Sequence, residues 1–125
     1  MNDTVEEWKT KADRDFATAK REMLAAADLN YDAVCFHAQQ CIEKLMKALL
    51  IERGTPPPRI HDLVHLDRLL VPLVPGWSWS AEELRYLTRA AVGFRYPGES
   101  ADKSEASKAL DVATRTRAEL LRLFA

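Results

Sequence analysis

Four side chains in one stretch of the sequence have the types and spacing to act together. His37, Gln40, Lys44 and Lys47 follow one another at steps of 3, 4 and 3, which on an ideal helix gathers them within about 80° of arc. Two ammonium groups, a carboxamide and an imidazole on one face could hold a phosphate or the carboxylates of a partner. Gln39 and Glu43 lie at the edge of this stripe, where they could instead face inward as hydrogen-bonding groups. Arg95 is a second candidate. It stands just before Tyr96-Pro97, where its guanidinium could reach a ligand or fold back onto a helix terminus. Cys35 and Cys41 are separated by about 9 Å along a helix axis, on faces about 120° apart, so a disulfide between them is excluded. They read as small buried hydrophobes. The histidines lack a CxxC or HExxH context, and no GxGxxG, P-loop or GxSxG occurs, so no metal and no cofactor is expected.

Helices must position these groups. A first amphipathic helix is expected over 3–27, opened by Asp3 and Glu6, with Trp8, Ala12, Phe16, Ala19, Met23 and Ala26 as its apolar stripe. The second, over 31–53, carries Tyr31, Val34, Ala38, Cys41, Ile42, Leu45, Ala48 and Leu49 on one broad side and the polar stripe opposite. Gly54 and three prolines end it. A short third helix is expected over 61–71, with Asp62 a cap. A fourth is opened by Ser80-Ala-Glu-Glu83 and runs to about Phe94. A fifth runs from Asp102 or Ser104 to Leu123, burying Ala106, Ala109, Leu110, Val112, Ala113, Ala118, Leu120, Leu121 and Phe124. Between the third and fourth lies a loop with two tryptophans, Trp77 and Trp79. Four or five helices with short connections and no strand-like alternation predict an all-α antiparallel bundle.

Composition agrees. The 125 residues, 47% of them hydrophobic, suit a single domain over 1–125 with one core. Eighteen basic against nineteen acidic residues leave a net charge of −1, which excludes a general DNA coater. No apolar run reaches the roughly 18 residues of a membrane span, and the acidic N-terminus is no secretory signal. A cytoplasmic protein is expected.

Residues 31–50, YDAVCFHAQQCIEKLMKALL, resemble the signature helix of the HEPN domain family. Trp8, Ala12, Asp15 and Ala19 are similar to that family's first helix, His61-Asp62-Leu63 to its His-Asp-Leu motif, and Arg95-Tyr96-Pro97 to its Arg-Tyr-Pro turn. Four motifs in the family's order span nearly the whole chain. The resemblance implies a small all-α bundle that pairs as a homodimer. Many small prokaryotic members are encoded beside a minimal nucleotidyltransferase and form toxin–antitoxin modules with it. Others are metal-independent ribonucleases with an Arg-x(4–6)-His motif.

Arg59 and His65 fit that ribonuclease spacing. However, three histidines and three allowed spacings make one accidental match unsurprising, and no histidine follows His65 in the later half of the chain, where catalytic members carry theirs. The expectation is therefore a non-catalytic HEPN binding module, the partner of a minimal nucleotidyltransferase or a binder of nucleotide or RNA. His37, Gln40, Lys44, Lys47 and Arg95 are its binding residues. The alternative is a metal-independent endoribonuclease using Arg59 and His65. On this helix phase, Ala48→Asp is expected to be severe and Lys47→Ala mild. Charge reversal at Lys44 and Lys47 should weaken binding. The two-tryptophan loop is expected to contribute exposed aromatics to a dimer interface.

Overall fold

In the computed structural model, residues 3–93 and 97–125 are described. Among them the chain forms five helices and no strand: α1 Asp3–Leu24, α2 Tyr31–Glu52, α3 Leu63–Leu70, α4 Ala81–Val92 and α5 Lys103–Leu121. The boundaries follow local chemistry. Asn30 caps α2 by accepting a hydrogen bond from the Ala33 amide, Asp62 caps α3 through Val64, and Ser80 caps α4 through Glu83. Asp102 and Glu105 make a reciprocal capping box on α5. α2 stops at Gly54, whose φ of +82° a side chain would resist. The amides of Gly54 and Thr55 there satisfy the carbonyls of Ile51 and Leu50. α1 ends three residues short of the expected boundary: Asp28 takes a left-handed φ of 52° and Leu24 is left exposed.

α2 is the axis of the fold and touches all four other helices. α1 runs antiparallel to it: Trp8 lies beside Lys47, and Asp15 opposite His37 and Lys44. α5 runs the same way as α2, because Ala101 meets Asp32 at one end and Leu123 meets Arg53 at the other. Val34, Ala38, Cys41, Ile42, Leu45, Ala48 and Leu49 are all fully buried, as the apolar side required, whereas Tyr31 at the start of that side is only half-buried against the core. Met46, Leu50, Gln39, Glu43 and Lys47 are buried as well, so nearly the whole circumference of α2 is enclosed. No helix among the described residues is long and apolar enough to cross a membrane.

Three expectations need correction. Trp77 is not an exposed interface residue. It is 7% exposed, donates its indole N–H to Asp67 at 2.7 Å and stacks on the half-buried Trp79 with ring centroids 5.8 Å apart. The indole N–H needs a buried acceptor, and Asp67 supplies it. On α5, Ala118 is exposed, whereas Thr116 is buried, its hydroxyl donating to the Val112 carbonyl. Lys47 is only 6% exposed, because α1 lays Trp8 over it.

Cys35 and Cys41 are free and buried, and burial pushes their thiols up to about 11 and about 12. Both should resist alkylation in the native state and react only on unfolding. Ala48→Asp should cost at least about 3 kcal/mol, since Ala48 is fully buried on the apolar side of α2. Urea denaturation against the parent chain measures it.

Candidate functional site

An enclosed helix must find partners for every polar side chain it carries, and on α2 two carboxylates supply most of them. Asp15 is the first, on the buried stripe of α1 and 8% exposed. It accepts from His37 Nδ1 at 2.7 Å and from Lys44 Nζ. Glu43 is the second, with a side chain only 4% exposed. It accepts from Lys47 Nζ at 3.0 Å, Gln39 Nε2 at 3.0 Å and His61 Nδ1 at 3.0–3.1 Å. Gln39 also donates to the His61 carbonyl, and its own carbonyl oxygen accepts from Gln40 Nε2 at 2.7 Å.

The expected stripe of His37, Gln40, Lys44 and Lys47 is thus brought together along one line, and carboxylates do face it. They come from the chain itself. Gln39 and Glu43 are the inward hydrogen-bonding groups that their edge positions allowed. Burial alone would push the Glu43 carboxyl up. Hydrogen bonds from Gln39, His61 and Lys47, with the Lys47 charge, outweigh it and hold the group below its ordinary value.

Arg59 and His65 are both exposed, and neither makes a hydrogen bond or ion pair with another described residue. No described side chain fixes either one as a base or as a phosphate cation. Arg95 lies outside the described residues.

The sequence pattern assigned no binding role to Trp8, Lys11 or Asp15. Trp8 is partly exposed and lines a surface pocket of about 340 Å³ with Glu7, Lys11 and Lys44. Lys11 is exposed at its rim. His61, first of the His-Asp-Leu motif, belongs to the Glu43 cluster. Asp15 left a signal: with Trp8, Ala12 and Ala19 it follows the 4-3-4 spacing of the buried stripe of α1, which marks an acid in need of a basic partner. A larger open cleft of about 770 Å³ lies near Trp77, Trp79, Arg115 and Arg122. Arg115 there is already committed to Glu83 and Asp111.

Lys47→Ala should not be mild. It removes one partner of a buried carboxylate and should cost about 3 kcal/mol. Glu43 also sets a pH dependence. Its carboxyl sits below the ordinary value of 4.5 in the folded chain, so it stabilises the native state above that pH. The contribution fades as pH falls through the folded value. Glu43→Gln should be less stable than the parent at pH 7, with the gap closing toward pH 3 in urea melts.

The family model described as HEPN domain matches residues 5–123. No curated protein sequence matches. Among solved structures, TT1696 from Thermus thermophilus superposes with a TM-score of 0.81 at 23% identity, covering 96% of this chain and 98% of that one. ST0689, an archaeal HEPN homologue, superposes with a TM-score of 0.68 at 24% identity, covering 94% and 95%. With the family model spanning nearly the whole chain and the five-helix bundle shared with these structures, the chain belongs to the HEPN domain family.

Proposed function

We propose that the chain is a non-catalytic HEPN binding module. It works as a homodimer in the cytoplasm, as the partner of a minimal nucleotidyltransferase in a toxin–antitoxin-type or nucleotide- and RNA-related system. Its ligand carries phosphate, held at the outer end of the α2 polar stripe, with Arg95 as a further contact. The observation that supports this is the pocket lined by Trp8, Lys11 and Lys44, with Glu7 at its edge. An indole offers a stacking face and two ammonium groups offer charge to a phosphate. Lys44 is shared with Asp15, whereas Lys11 is exposed and makes no ion pair with another described residue.

Charge reversal at Lys44 and Lys47 is a poor test, because new carboxylates would face Asp15 and Glu43. Lys11→Glu changes the charge without touching the core. Titration with a nucleoside monophosphate or a short single-stranded RNA should show binding that weakens with salt and falls about tenfold in Lys11→Glu. The purified protein should leave RNA intact, with Arg59→Ala and His65→Ala unchanged in any cellular toxicity. Metal-independent cleavage lost in both variants would replace this reading with the endoribonuclease one. Light scattering at micromolar concentration should give twice the monomer mass.

A further inference from the structure

Four exposed arginines, Arg59, Arg68, Arg85 and Arg89, make no hydrogen bond or ion pair with another described residue. The fold places them on one surface. α3 and α4 pack on each other and on α2. The start of α3 meets the end of α4, where the Leu63 amide donates to the Thr88 hydroxyl, so the two helices run antiparallel. Leu63, Leu66 and Leu70 of α3 are buried, as are Leu84, Leu87 and Ala91 of α4. The opposite sides of both helices therefore face away from α2. Arg68 lies on that side of α3, and Arg85 and Arg89 lie on that side of α4, one turn apart. Arg59 stands just before α3, at the end of the pair where Arg89 lies.

Carboxylates do not neutralise this surface. Asp67 is spent on Trp77 and Glu83 on Arg115. Asp62 caps α3. Glu82 is exposed and pairs with none of the four. The whole chain carries a net charge of −1, so the positive excess is local. Two of the arginines have a structural reason. Arg68 and Arg89 lie in last turns, where the helix dipole favours a cation. Arg59 and Arg85 have none. Arg85 also stands four residues before Arg89, a like-charge spacing that weakens a helix.

A guanidinium makes two-point contacts with carboxylate and phosphate alike. The rest of the surface decides between them. Val71, just after α3, and Val92, the last residue of α4, are 46% and 47% exposed at its two ends. Tyr86 carries the one phenyl ring of these helices, and it turns to α5, donating its hydroxyl to the Glu105 carbonyl. A nucleic acid would find charge here but no stacking platform, and nothing in its backbone covers the valines. A protein face that mixes carboxylates with aliphatic side chains would satisfy both features.

We propose that the outward surface of α3 and α4 docks the acidic face of a partner protein. The four arginines take its carboxylates, and Val71 and Val92 are covered at the two ends. The proposal rests on the reading of the chain as a binding module, given under Proposed function. It is spatially separate from the Trp8 pocket, because α1 packs on neither α3 nor α4.

The test titrates the full chain with three probes. They are a helical peptide with glutamates at i and i+4 and leucines between them, a scrambled peptide of the same composition, and a short RNA duplex. The patterned peptide should bind best, with an affinity that falls as salt rises. Arg85→Gln combined with Arg89→Gln should weaken it about tenfold. Both side chains are exposed and unpaired, so this variant should keep the melting temperature of the parent. It should also keep any nucleoside monophosphate binding at the Trp8 pocket. A lowered melting temperature would assign the two arginines a structural role and overturn the proposal. Equal binding of the scrambled peptide would reduce the surface to bulk charge and overturn it too. Tighter binding of the RNA duplex, lost in the same variant, would give the surface to a nucleic acid instead. If the patterned peptide fails to bind while the monophosphate still does, this surface is overturned and the Trp8 reading stands.

Discussion

A carboxylate in the middle of an enclosed helix has to be neutralised by whatever surrounds it, and Glu43 makes that demand at the centre of this bundle. Leaving it unpaired would cost several kcal/mol. Its partners therefore dictate where neighbouring parts of the chain can go. Lys47, one turn away, must turn inward, and Trp8 of α1 closes over it. Gln39 must point the same way, and in doing so holds the carbonyl of His61. The loop after the three prolines is thus brought against α2 just before Asp62 caps α3. Asp15 does the equivalent work between α1 and α2, fixing their register through His37 and Lys44. Apolar burial drives the helices together. These two carboxylates restrict which relative alignment satisfies every polar group.

The apolar architecture was legible in the sequence because it is periodic. The stripe of α2, the glycine and prolines behind it and the caps at Ser80 and Asp102 are local signals, and local signals survive into the fold. The polar side of α2 was legible as a line but not as an environment. Its angular spacing is compatible equally with a solvated face and with one covered by another helix. Which applies depends on how many elements pack around α2, and that is a tertiary property. Lys47 shows the difference: its phase placed it correctly on the stripe, yet α1 buries it. Trp77 errs in the same direction. A tryptophan in a proline- and glycine-rich loop reads as exposed until Asp67, ten residues earlier, is seen to accept its N–H.

His61 was undervalued for a related reason. Followed by Asp62 at a helix start, it reads as part of a local cap, and Asp62 does cap α3. Its own partner is Glu43, 18 residues away, a pairing that no local rule reveals. Long-range pairs between a carboxylate and an imidazole become visible only once two elements are docked.

The division of labour along α2 follows from how deeply each turn is covered. Toward the C-terminal half, from Leu45 to Leu50, every side chain is buried, so a charge there must be matched internally, as Lys47 is by Glu43. Toward the N-terminal half, Phe36, His37, Gln40 and Lys44 keep partial exposure. There the same hydrogen bonds that satisfy the interior anchor these side chains from within: His37 and Lys44 on Asp15, and Gln40 on Gln39. A side chain whose inner atom is bound to a buried partner has little freedom left at its outer atom. The outer atoms are then held in place before any ligand arrives, and binding to them loses less conformational entropy than binding to free surface side chains would. In this bundle the network that satisfies the buried acids also arranges the accessible surface of the central helix.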